Sequence, residues 1–232
     1  MLEKRLVELW KKHQRQMSSD KLNEILARGI CYSEVKRACP ILVTGINPSY
    51  RHGDIACNKD ISTFSYQEII RNGDDHYFHA INKLFPEDWK VKVEYLDILN
   101  FRETDQNVVW DFCKDGKGLE FVAQNLRFSQ LMIEQVIQPR LIVVKNKSSW
   151  DLWGKSATPS GNIWMGYKFE LEKSLDCGDL CRIVGLVDHP DRVSYDCLLE
   201  TNLKGTLVLF TYHSRAGKDP SQELMRELCT RL

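Results

Sequence analysis

The segment Ile41-Leu-Val-Thr-Gly-Ile-Asn-Pro-Ser-Tyr50 carries the residues of this sequence best suited to chemistry. A β-branched apolar run stops at Gly45, whose missing side chain admits close approach of backbone or ligand, and Pro48 stiffens the turn that follows. Asn47 between them has two readings. It is a turn residue satisfying its own backbone, a frequent use of Asn-Pro, or a fixed amide held at a strand end facing the crevice. His213, in Phe210-Thr-Tyr-His-Ser214, follows a second apolar run at a strand end, as a surface or core histidine or as a residue facing the ligand crevice. Asn100 closes a third run, Val91 to Leu99, as a turn residue or as an amide that reads a ligand's edge. Phe64, in Ser62-Thr-Phe-Ser-Tyr66, is a core aromatic or a stacking surface.

Other constellations are weaker. His189-Pro190 sits between turn-forming residues and reads as a loop, and His76 and His79 share a helical face without further ligands for a metal. Eight cysteines are scattered with no CxxC pair, so buried reduced thiols are expected and neither a disulfide framework nor a metal centre is carried forward. Gly-rich phosphate loops, a GxSxG elbow and HExxH are absent, and no organic cofactor is expected.

The elements that must position these residues follow from periodicity. Leu2 to Arg28 repeats apolar residues at helical spacing and predicts two amphipathic helices. Short apolar runs at Ile41–Thr44, Val91–Leu99, Leu141–Val144 and Leu207–Phe210 alternate with helical segments: one ending at Pro86, one over Leu119 to Gln138, a short one around Ser148 to Trp153, and a last one over Pro220 to Leu232. That alternation predicts an α/β fold with a mostly parallel sheet covered on both faces. In such sheets ligands bind beyond the carboxyl ends of the strands, at Gly45–Asp60, Asn100–Gln106, Lys145–Ser149 and Thr211–Lys218. Arg51, Lys59, Lys145, Lys147, Arg215 and Lys218 gather on that edge, opposed by Asp54, Asp60, Asp151 and Asp219, as a phosphate-binding rim or a mixed solvated one. Between Ser160 and Gly205 shorter alternating runs predict β-hairpins on or beside the sheet.

A chain of 232 residues and 27.0 kDa is long enough for one sizeable core. Its 32 basic residues balance 32 acidic ones, so nucleic-acid contact must come from a local patch. With no apolar run near the ~20 residues of a membrane span and no signal-like N-terminal block, a cytoplasmic protein without membrane contact is expected.

In this order the motifs resemble the uracil-DNA glycosylase superfamily. Gly45-Ile-Asn-Pro48 is similar to the first motif of its mismatch-specific branch, Asp75-His-Tyr-Phe-His-Ala-Ile-Asn-Lys-Leu84 to an aromatic helix start, Gln130 to Val144 to its helix, Pro and third strand, and Val208 to Ser214 to the strand and His loop of its second motif. The resemblance implies a three-layer α/β/α domain over 1–232 with a four-stranded, mostly parallel central sheet, an N-terminal helical extension (1–30) and a late β-hairpin insertion (160–205). It implies a monomer that hydrolyses the N-glycosidic bond of uracil or a related deaminated or mismatched base in DNA. Asn47 would then position the attacking water and His213 stabilise the departing base. Gly45, Ile46, Pro48, Ser49, Phe64 and Asn100 would line the base site, and Ser214, Arg215 and Lys145 would hold phosphate. The sequence departs from the pattern at Ser49, at Lys145-Asn-Lys-Ser-Ser149 and at Tyr212-His-Ser-Arg-Ala-Gly217. These departures keep a second function open, a non-catalytic nucleic-acid or nucleotide-binding module on the same fold. A third, a protein-interaction domain, predicts an exposed aromatic patch around Trp164 and Tyr167.

Overall fold

The computed structural model describes residues 2–35, 37–50, 60–73, 75–155, 164–187, 198–212 and 219–232. Two helices come first, α1 (Leu2–His13) and α2 (Asp20–Ala27), followed by strands β1 (Ile30–Ser33), β2 (Ile41–Gly45) and β3 (Ile61–Phe64). Helices α3 (Tyr66–Asn72) and α4 (His76–Asn82) lead into β4 (Val93–Asp97), and α5 (Val108–Lys114) and α6 (Gly116–Leu131) into β5 (Leu141–Val144). After α7 (Trp150–Trp153) come β6 (Tyr167–Leu175), β7 (Gly178–Leu186), β8 (Leu207–Thr211) and α8 (Gln222–Thr230).

Side-chain caps set several helix starts. The Ser65 hydroxyl accepts from Glu68 N at the head of α3, the Asp75 carboxylate from Tyr77 and Phe78 N at α4, and the Asp115 carboxylate from Lys117 and Gly118 N at α6. The α6 helix passes into a π-helical turn over Met132–Ile137 and stops at Gln138, which takes a left-handed conformation just before Pro139.

The principal sheet runs β4-β2-β5-β8-β7-β6. Its first four strands are parallel and match the predicted runs, while β7 pairs antiparallel with β8, and β6 with β7. The expected four-stranded sheet is therefore corrected to six strands, because the late hairpin covers the free edge of β8 and satisfies its backbone groups. Gly178 makes this docking possible: its φ of 146° and a Phe210 carbonyl against its α-carbon leave no room for a side chain. A second, two-stranded parallel sheet joins β1 to β3. Four residues per strand, half of them exposed on β3, carry too little periodicity to be read in advance.

Every residue of β2, β4, β5 and β8 is buried, as strands covered on both faces require. On one face Ile41, Val43, Tyr95, Leu141, Val143 and Leu209 pack beneath Tyr66, Ile81, Phe85, Met225 and Leu228 of α3, α4, α8 and the residues just after α4. On the other, Leu42, Leu96, Ile142, Val208 and Phe210 join Leu6, Leu26, Phe112, Phe121 and Val122 of α1, α2, α5 and α6. The N-terminal helices thus share the main core. Trp164 and Tyr167 are buried there too, so the exposed aromatic patch of an interaction domain is not formed around them. No helix among the described residues is long and apolar enough to cross a membrane.

Candidate functional site

Strand β2 has β4 on one side and β5 on the other, and the chain visits β4 first and then crosses back to β5. The order of connections reverses at the carboxyl end of β2, where an open α/β sheet forms its ligand crevice. Three residues on one face mark that end: Asp97 on β4, Gly45 on β2 and Lys145 just beyond β5, each continuing the alternation of the residues below it.

Gly45 is register partner to Asp97, and a β-carbon on it would collide with the Tyr95 hydroxyl and the Asp97 carboxylate. Its role is to let these two polar groups fold over the end of β2. The Tyr95 hydroxyl donates to Asp97 Oδ1 at 2.7 Å, and the Tyr77 hydroxyl lies 3.4 Å from that of Tyr95. Burial pushes the Asp97 carboxyl up to about 7, against the opposing pull of the Tyr95 hydrogen bond. Burial also raises Tyr95, with the neighbouring Asp97 charge adding to it, so both phenols stay protonated donors at neutral pH. Around Tyr95 stand Phe78 (4.8 Å between ring centres), Tyr77 (6.1 Å) and Phe64 (6.2 Å), with Phe64 and Phe78 half-buried and Tyr77 43% exposed. Sequence reasoning missed Asp97, although a carboxylate near the end of the apolar run Val93-Glu-Tyr-Leu-Asp-Ile-Leu99 was the available signal.

Asn47 lies in the turn after β2, and the residue is 7% exposed. Its Nδ2 donates to the Glu103 carbonyl at 2.6 Å and to the Pro48 carbonyl at 3.2 Å. The Pro48 carbonyl in turn accepts from Glu103 N at 3.0 Å. The Asn47 amide nitrogen is thus tied both to its own turn and to the Glu103 segment. Its Oδ1 is buried and accepts no hydrogen bond from a described residue, so one acceptor of this turn is left without a partner there.

The remaining expected residues divide. Pro48 is half-buried in the turn and Ser49 exposed on it, whereas the Ile46 side chain faces into the core and leaves only its backbone near the crevice. Phe64 packs in the aromatic group beside Tyr95. Asn100 is fully buried: its Oδ1 accepts from Asn125 Nδ2 at 2.9 Å, and its Nδ2 reaches the Cys31 carbonyl at 3.4 Å. That amide serves the core, because each of its polar atoms needs a partner once buried. Lys145 is 5% exposed with Nζ 2.7 Å from Asp219, so its charge is engaged within the protein and is not presented to a phosphate. His213, Ser214 and Arg215 lie outside the described residues, as do Arg51, Asp54, Lys59, His189 and Lys218. Among the described residues no group of three or more His, Cys, Asp or Glu is arranged to hold a metal ion.

Comparison with known proteins leaves this geometry as the guide to function: no protein-family model matches the chain, and no curated protein is significantly similar to it.

Proposed function

We propose that the chain is a DNA N-glycosylase that hydrolyses the bond between deoxyribose and uracil, or a related deaminated or mismatched base, by attack of water. The observation that carries this reading is Asn47: an amide anchored through its nitrogen, with its oxygen unpartnered, at the switch point of an α/β sheet. Such an oxygen accepts a hydrogen bond from water and aims a water lone pair at the sugar carbon as the glycosidic bond loosens. Asp97, close to neutrality in its titration, is the nearby described group suited to take the proton that this water releases. The half-buried rings of Phe64 and Phe78 offer an apolar wall for a flipped base. Ser49, small and exposed, places no bulk after the turn to exclude a methylated base. The role of His213 at the departing base rests on the sequence resemblance.

The test is base release from labelled single- and double-stranded oligonucleotides carrying uracil, hypoxanthine, or a G·U or G·T mismatch. Wild type is expected to create alkali-labile sites, and Asn47→Ala to lose about 10²-fold or more of that rate. One observation favours the second reading, a module that binds nucleic acid or nucleotide without cleaving it: Asp219 already neutralises Lys145, removing a cation from the rim. Retained DNA binding with no release of any base would establish that reading instead.

A further inference from the structure

The second helix of the N-terminal pair ends against the Asn47 turn. Arg28, at the carboxyl end of α2, has a side chain only 14% exposed. Its Nη1 donates to Glu103 Oε2 at 2.7 Å and to the Arg102 carbonyl at 3.3 Å, and its guanidinium carbon lies 4.1 Å from the centre of the Tyr50 ring. Glu103 Oε1 accepts from the backbone N–H groups of Thr104 at 2.6 Å and Asp105 at 3.0 Å. The Thr104 hydroxyl donates to the Tyr50 carbonyl at 2.7 Å. Burial alone would raise the Glu103 carboxyl, but the Asp105 N–H, the Arg28 guanidinium and the Thr104 N–H together hold it below the usual carboxylate range. It is therefore charged at neutral pH and keeps Arg28 engaged. One guanidinium thus grips both segments that define the Asn47 side chain: the Glu103 segment, whose carbonyl receives the Asn47 amide, and the Tyr50 end of the turn that carries Asn47.

We propose that Arg28, supplied by the N-terminal helical pair, is a positioning residue for Asn47, and that α2 is a working part of the site. The inference rests on the glycosylase reading for its kinetic consequence but not for its structural one. A planar guanidinium that donates from Nη1 to a carboxylate and a carbonyl and from Nη2 to Glu24 Oε1 at 3.3 Å, with its face over a ring, is a geometry an ammonium does not reproduce. Arg28→Lys therefore keeps the charge and the helix end while losing that geometry, and Arg28→Gln removes the charge as well. Displacement of Asn47 by a fraction of an ångström lowers turnover without a matching loss of substrate contacts.

Two measurements on the full chain decide it. In 15N-resolved NMR of each variant, the Asn47 side-chain amide and the Glu103 backbone amide, which is bonded to Pro48, are expected to shift and to exchange faster with solvent. The amides of β2 and β5 are expected to keep their protection. In the oligonucleotide assay, run well below each variant's Tm, kcat is expected to fall roughly tenfold for Arg28→Lys and up to a hundredfold for Arg28→Gln, with KM little changed. Unchanged Asn47 and Glu103 signals in both variants overturn the proposal, as does a kcat for Arg28→Lys no lower than that of a core variant with the same fall in Tm, such as Asn125→Ala. If Arg28→Gln does not fold, Arg28→Lys alone answers both measurements. If wild type releases no base, the glycosylase reading falls, and the NMR result by itself supports or overturns the positioning role.

Discussion

Asp97→Asn isolates the physical peculiarity of this site. Asparagine retains an acceptor for the Tyr95 hydroxyl and nearly the same volume beside Gly45, and removes only the titratable proton. In the folded chain burial holds the Asp97 carboxyl at about 7, against an ordinary 3.8, a difference that corresponds to roughly 4 kcal/mol. The raised value means that the folded protein keeps a proton that the unfolded chain releases. The stability linked to this group is therefore complete below about pH 4 and declines by about 1.4 kcal/mol per pH unit until about pH 7, beyond which it is constant. Urea unfolding of wild type and Asp97→Asn at intervals from pH 4.5 to pH 8 reads this directly, since the groups common to both proteins cancel in the difference. The variant is expected to gain on wild type steadily across that window and to hold its gain above it. A difference that stays flat within about 0.5 kcal/mol from pH 4.5 to pH 8 would refute the reasoning, because it would mean that Asp97 ionises in the folded state as readily as in water. In the base-release assay the same substitution is expected to abolish a rise in rate through pH 7.

Further expectations concern the residues around it. Gly45→Ala drives a β-carbon into the buried Tyr95 hydroxyl and Asp97 carboxylate, and is expected to destabilise the fold by about 1–3 kcal/mol, seen in thermal melts as a fall of about 2–4 °C per kcal/mol. Asn125→Ala strips the Asn100 side chain of its buried partner and is expected to lower stability by about 1–3 kcal/mol in urea titration while leaving kcat for base release unaltered. Intact stability with altered base preference would instead return Asn100 to a reading role. For Asn47→Ala, loss of base release is expected with little change in DNA binding, measured by fluorescence anisotropy, and a parallel loss of both would assign Asn47 to binding.

The parallel core of this fold was legible because burial on both faces forces continuous apolar strands. Ile41–Thr44, Leu141–Val144 and Leu207–Phe210 admit few other readings, and Pro86 and Pro139 mark where helices must give way. The turn Gly45-Ile-Asn-Pro48 stood out for a similar reason, since a glycine and a proline each restrict the backbone in ways that neighbours do not override. Residue type and strand-end position, however, do not determine which way a side chain turns or what it meets. Asn100 and Lys145 sit where the sequence expected ligand groups, but long-range partners claim them: Asn125, 25 residues away, and Asp219, 74 residues away. Asp97 went unnoticed because its unusual titration comes from burial against Tyr95 and the bare α-carbon of Gly45, a product of strand register. The hairpin's merger into a six-stranded sheet and the grip of Arg28 on the Asn47 turn are likewise tertiary facts. Local patterning determined the parallel strands, their flanking helices and the Asn47 turn of this protein, whereas the small second sheet and the partners that set charge and orientation at the strand ends were decided only when distant segments packed together.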